Sequence, residues 1–426
     1  MKNRVLSRYA LSCCVASAIL SGCGGSQPPV GAPGKEIDGL SALARVSHHY
    51  ESLYSFKGAP DGAQPTAQLV ALKGVLYGST STGGFIPYSY SNGDGTIFTI
   101  TRTGKERVLL TFGEPGTYGY TPSGLVALHG KFYGTAQGGD PSYGIVFKIT
   151  TSGKESLVYN FKGKPDGEIP GGGLTAMDGK LYGETFRGGT GGRGKQSNHC
   201  RPGIYGCGTV FAIRASVNKE RVLYSFRQSR DAWFPYGNLV ALDGVFYGTT
   251  GYGGVRGACT PNGCGAIFSV RKSGREHMFY GFKGPPYDGN GGGSLVALNN
   301  VLYGISGGGG TSGLGTVFSV NLSGDETILH NFTGGADGAN PSGLVAVNGF
   351  LYGTTQGGGE NVNCSGCGTV FKMSTSGEEQ VLYSFGGYPI DGSAPSANLS
   401  LSGGKLYGTT RTGGSANEGT VFQISP

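Results

Sequence analysis

An all-β ring of repeated blades is the fold this sequence predicts, and three observations predict it. One pattern recurs seven times: a Leu-Val-Ala-Leu segment, a Leu-Tyr-Gly segment, a Gly-Gly pair, a Gly-Thr-Val-Phe segment and an apolar stretch ending in Phe. The period is roughly 50 residues, the spacing of propeller blades rather than of helical repeats. The copies are also out of phase with the chain: a lone fourth segment comes first, and the last copy lacks its own. Together these features predict a seven-bladed β-propeller of four-stranded blades, closed by an N-terminal strand that completes the last blade.

The strands can be justified in turn. Strand A is the LVAL segment, B the LYGTT segment, C the GTVFKI segment and D the VLYSF segment. Each is short, rich in Val, Leu, Tyr and Phe, and bounded by Gly, Asn, Asp or Ser. Between A and B stand pairs such as Asp243-Gly244 and Asn348-Gly349, which suit the two positive φ values of a type I′ hairpin. Ser152-Gly153, Ser273-Gly274 and Ser376-Gly377 make tight turns between C and D. No stretch is long enough for a useful helix. The recurring Tyr77, Tyr133, Tyr182, Tyr247, Tyr303, Tyr352 and Tyr407, with the Phe of each C strand, are expected in the core between blades. Residues 46–56 hold the lone D segment, Leu53-Tyr54-Ser55-Phe56, and residues 46–426 make the propeller. Closure by that segment removes the open sheet edges an unclosed array would present.

Length variation is confined to one connection. From the Tyr of B to the Phe of C the separations are 21, 14, 29, 21, 15, 19 and 15 residues. The B–C and D–A loops emerge on one face, so variable loops gather on one rim, where binding commonly resides. The plain alternative is drift in surface loops.

The chain carries 85 Gly, which without periodicity would suggest disorder; here they fall at repeated turns. The formal net charge is +7, and loss of Lys2, Arg4 and Arg8 with a leader would leave 30 basic against 26 acidic residues. With no basic run and no basic–aromatic stripe, a nucleic-acid partner is not expected.

Residues 1–22 read as a signal peptide: a charged start, a short apolar core from Tyr9 to Leu20, and then Leu20-Ser21-Gly22-Cys23. The last four resemble a bacterial lipobox, which implies lipidation of Cys23. Residues 23–45 follow as a Gly/Pro-rich tether. The absence of Asp after Cys23 implies, by the same resemblance, the outer membrane, with the lipid as the membrane contact. The apolar core is too short to span a bilayer permanently.

Six further cysteines form three local pairs, Cys200/Cys207, Cys259/Cys264 and Cys364/Cys367, each inside a B–C loop and each ending directly before the Gly that opens strand C. In an oxidising compartment such pairs read as disulfides that shape loops. A metal site or a redox pair in Cys364-Ser365-Gly366-Cys367 is the rival, and zinc would need ligands that six scattered histidines do not offer.

The D–A connection repeats Asp-Gly at Asp61, Asp166, Asp288, Asp337 and Asp391. The expected role is a turn in which Asp accepts backbone N–H bonds. Calcium held by these carboxylates is the lesser alternative, and no other cofactor is expected. Two D–A loops depart from the rule, with Tyr118 and Tyr120 in one and Trp233, Phe234 and Tyr236 in the other. With Tyr88 and Tyr90 of the first B–C loop, and Phe85 and Tyr252 nearby, they make a candidate aromatic platform for sugar rings on the loop face. The alternative is packing against neighbouring blades. Catalytic signatures are incidental: Gly304-Ile305-Ser306-Gly307-Gly308 fits G-x-S-x-G, yet it is one more copy of the B strand, where no strand-to-helix elbow exists.

The unit LVAL-xG-xLYGTT-xxGG-GTVFKI-xxSG-xxxVLYSF resembles the GloVer (Gloeobacter–Verrucomicrobia) tandem repeat of bacterial surface proteins over about residues 50 to 426. The resemblance implies a propeller attached to the cell envelope and carries no catalytic residues; the strand order is also similar to NHL-type propellers. The expected function is therefore a non-catalytic, envelope-anchored, monomeric propeller that binds a glycan or protein ligand through its loop face. An extracytoplasmic polysaccharide lyase or hydrolase at the propeller mouth is the second expectation, and an assembly scaffold the third. Carboxylates converging on the channel would favour the enzyme; a mouth of Ser, Gly and Asn would favour binding.

Overall fold

A computed structural model describes residues 49–86, 92–190, 206–227, 232–255, 259–361 and 363–426. Cys23 and the leader and tether, Tyr88, Tyr90 and Cys200 lie outside the described residues. Among the described residues there is no helix. Seven antiparallel sheets succeed one another in the order A-B-C-D, forming the blades of a propeller. A two-stranded ribbon, Glu360–Asn361 with Cys364–Ser365, sits in one B–C loop.

The last sheet closes the ring. Tyr50–Ser55 pairs antiparallel with Thr420–Ile424, supplying strand D to a blade whose A, B and C strands come from the other end of the chain. Its neighbour on the far side is blade 1, where Gln64 N donates to Glu418 O at 2.8 Å. That bond is the local instance of a repeated tie. In every seam the residue before the Gly that opens strand C offers its carbonyl to strand A, or the segment leading into it, in the next blade. Cys207, Cys264 and Cys367 hold this position, accepting from Phe234, Gly291 and Ala394.

The A–B turns show geometry overriding residue preference. Lys73 and His129 take φ of 50° beside Gly74 and Gly130, matching Asp243-Gly244 and Asn348-Gly349. Strand twist demands the mirror-image turn, and residues that rarely adopt positive φ accept it.

The seven core clusters lie between blades. Each LYG tyrosine is at most 8% exposed and each C-strand phenylalanine is 0% exposed. Tyr77 lies 4.1 Å from Phe132 of the next blade, and Tyr182 lies 4.2 Å from Phe246. The Phe that ends each D strand meets the C-strand Phe of the following blade, near edge-on in six seams, as in Phe56–Phe98 at 5.0 Å and Phe226–Phe268 at 5.0 Å, and tilted in Phe332–Phe371. Such T-shaped pairs bring the positive ring edge onto the negative face.

Candidate functional site

Strand A is the innermost strand of each blade, and the seven A strands enclose a central channel. Residues from all seven blades line a cavity of about 890 Å³ that runs from Tyr236 and Arg411 at the loop face down past Ala71, Ala127 and Leu401. Its wall is built of small and neutral polar groups: Ser123, Ser294, Ser342, Ser396, the amides Gln68, Asn238, Asn398 and Gln356, and many exposed backbone peptides. No Asp, Glu or His stands among the described residues that line it.

Three of these amides also clamp blades. Gln68 Nε2 donates to Leu399 O at 3.2 Å, Asn398 Oδ1 accepts from Leu344 N at 3.0 Å, and Asn238 Oδ1 accepts from Gly173 N. Each bond crosses to the preceding blade and occupies one end of the amide. No further hydrogen bond engages the other end among the described residues, so it is available to a ligand.

Behind the wall, the residue after each LYG glycine faces the seam with the next blade. Ser79 Oγ donates to Ser123 O, Thr135 Oγ1 to Gly172 O and Thr249 Oγ1 to Gly293 O. Blade 3 alone puts a carboxylic acid there. Glu184 is 2% exposed, pairs in register with Gly171, and finds no hydrogen-bond partner for either carboxyl oxygen. Burial holds its pKa well above the usual carboxylate range, favouring the protonated acid.

Among the described residues the expected aromatic platform is not assembled. Trp233 is 3% exposed and Phe234 is 5% exposed, both within the core between blades 3 and 4. Trp233 stacks on Tyr252 at 5.0 Å, and Phe234 stacks on Phe186 at 4.3 Å. They are packing residues rather than a sugar platform, because strand A of blade 4 turns both rings into the seam with blade 3. Tyr236 is different: it is 57% exposed and lines the channel. Tyr118 and Tyr120 are also exposed, in blade 2, where Tyr118 N donates to Glu155, and they do not line the channel with Tyr236. Phe85 borders a separate hollow with Pro60 and Ile86.

The Asp-Gly loops are turns. Asp61 accepts from Lys57 N at 3.1 Å, Gly62 N at 2.7 Å and the Tyr54 hydroxyl at 2.9 Å. Asp166 and Asp288 repeat the pattern with Tyr159 and Tyr280, and Asp391 with Tyr383. In blade 5 His330 replaces the tyrosine and meets Asp337 at 3.3 Å. Opposite Asp61, Asp166, Asp288 and Asp337 sits the glutamate that begins strand D of the next blade, whereas opposite Asp391 sits Tyr50. Burial, with the neighbouring Asp charge added, raises Glu106, Glu220, Glu326 and Glu379 to about 7; burial alone does so for Glu155. No group of three His, Cys, Asp or Glu side chains is placed to hold a metal among the described residues.

Cys259–Cys264 and Cys364–Cys367 are disulfides, and Cys207 is also disulfide-bonded. Ser306 of the G-x-S-x-G match is fully buried and donates to Asn290 O and Gly308 O, a structural hydroxyl. Apart from Tyr236, the channel residues carry no local signal in the sequence. The signal that could have found Arg411 is its departure from a repeat position otherwise held by Ser81, Gln137, Phe186, Gly251, Gly307 and Gln356.

Known proteins can be set beside this geometry. No curated protein matches the sequence. Among solved structures, the chain is similar to a computationally designed protein (12% identity, 87% of this chain and 98% of that one, TM-score 0.48). It is also similar to a gluconolactonase from Xanthomonas campestris (12%, 89% and 89%, TM-score 0.42) and to a puromycin hydrolase (14%, 84% and 50%, TM-score 0.48). At these values no activity transfers from them. The family description "Gloeobacter/Verrucomicrobia repeat" matches residues 40–196 and 257–426.

Proposed function

For this chain, which belongs to the Gloeobacter/Verrucomicrobia repeat family, we propose a non-catalytic role: binding a glycan in the channel mouth at the loop face. The observation that carries the reading is the lining itself. A cavity of about 890 Å³ walled by hydroxyls, half-engaged carboxamides and backbone peptides matches the alternating donors and acceptors of sugar hydroxyls. Tyr236 adds an exposed ring on which the C–H face of a sugar can stack.

The hydrolase or lyase alternative calls for carboxylates facing the channel, and the described lining supplies none. Anchoring to the envelope through Cys23 rests on the lipobox-like sequence alone, and loss of membrane association in Cys23→Ala tests it. The glycan reading is tested by presenting the full-length protein to a glycan array alongside Tyr236→Ala. A reproducible hit weakened by about tenfold or more in the variant is expected. A blank with correctly folded protein rejects the reading.

A further inference from the structure

Arg411 is the only lysine or arginine among the described residues that line the channel, and no carboxylate shares that lining. It stands at the loop-face end of strand B in the closing blade, where the six other blades carry hydroxyl, amide, aromatic or glycine residues. Its guanidinium makes two weak contacts, Nε and Nη2 each 3.5 Å from Gln64 Oε1, and no ion pair among the described residues. Gln64 Oε1 orients the fork without neutralising it. A fixed positive charge at a concave mouth with neutral walls focuses its field into the opening. The planar guanidinium also matches a carboxylate in bidentate geometry.

Tyr236 lies in blade 4 and Arg411 in blade 7, three blades apart on a ring of seven, the widest separation the ring allows. A ligand that uses both must span the mouth, with a sugar face on the tyrosine side and an anionic group on the arginine side. Between them Ser396 and Asn398 offer neutral hydrogen bonds beside the arginine, and Asn238 does so beside the tyrosine.

We propose that the channel selects acidic glycans, oligosaccharides whose uronic-acid carboxylate pairs with Arg411 while another ring of the same chain stacks on Tyr236. This rests on the channel being a glycan site and names the class of glycan it takes.

The test is calorimetric titration of the full-length protein with trigalacturonate and with its fully methyl-esterified form, which keeps the shape and removes the charge. Trigalacturonate is expected to bind at least about tenfold more tightly than the ester at low salt, with the difference shrinking as salt is added. Arg411→Gln should abolish the difference without a change in melting temperature, and Arg411→Glu should reverse it. Equal affinity for acid and ester, or a preference that survives Arg411→Gln, overturns the inference while the glycan site stands. Failure of trigalacturonate to bind, when a glycan array does return a hit, also overturns it. A blank on both removes the site and the inference together.

Discussion

Tyr50 of the closing strand lies flat on Tyr383 of blade 6, with ring centroids 3.7 Å apart and planes within 5° of parallel. Tyr50 occupies the position that glutamate holds at the start of the six other D strands, beside the Asp391 turn. Here a stack takes the place of an acid, and it joins the start of the ring to the blade before the seam. Tyr50→Ala should therefore loosen the clasp and cost about 2–3 kcal/mol, a value below full aromatic truncation because the ring is only partly covered. Thermal melting of the variant checks this, and an unchanged midpoint would show that strand pairing alone holds the ring shut.

The glycine of each LYG segment has a packing reason. A Cβ on Gly134 would lie 2.6 Å from Phe147 Cζ, and one on Gly183 would lie 2.6 Å from Phe211 Cζ. Gly134→Ala should destabilise by about 1–3 kcal/mol, the typical penalty for overpacking a full core. Gly130→Ala has open space around it but a φ of 72°, so it reports backbone strain instead. Denaturant melts of the two variants separate clash from strain.

Five glutamates at the seams, Glu106, Glu155, Glu220, Glu326 and Glu379, are raised from 4.5 to about 7 in the folded protein. A folded-state pKa above the unfolded value means that the native state binds more protons between those limits. Their contribution makes the protein most stable near and below pH 4.5, and it is lost as pH rises through 7. Melting temperatures should therefore fall from pH 5 to pH 8, with a shallower slope in Glu155→Gln. A flat or rising profile would contradict the account.

Glu184 is a sharper case. Replacement by Thr restores the residue that blades 2, 4, 6 and 7 use there and permits the seam hydrogen bond seen at Thr135. Glu184→Thr should stabilise by about 1–3 kcal/mol at pH 8, by removing a buried acid with no partner. The gain should shrink toward pH 5, where the native carboxyl is protonated in both folded and unfolded chains to a larger extent. Paired urea titrations at the two pH values measure it.

Much of the fold was legible because each blade repeats one set of instructions. The LYG tyrosines and the C-strand phenylalanines read correctly as core, and the unpaired D segment correctly pointed to closure by Tyr50–Ser55. The site was less legible for a physical reason. Channel neighbours such as Gln68 and Asn398 are hundreds of residues apart in sequence, and no local spacing announces that they converge. Trp233 misled because its loop position suggested exposure, whereas the strand that begins there turns its ring into the seam. The Asp-Gly turns were read correctly as hydrogen-bond acceptors, but their glutamate neighbours come from the next blade and left no local pattern.

His49 O accepts from Ser425 N, so the described chain leaves the ring beside the place where it enters. A circle of this kind has no privileged first blade. Joining those ends and reopening the backbone at a different A–B turn should leave every seam intact, with another blade serving as the clasp. What distinguishes one sector from another is then its B–C loop and its substitutions against the common pattern. The molecule resembles a dial with identical divisions, and Arg411, Tyr236 and Glu184 are the marks that give it orientation.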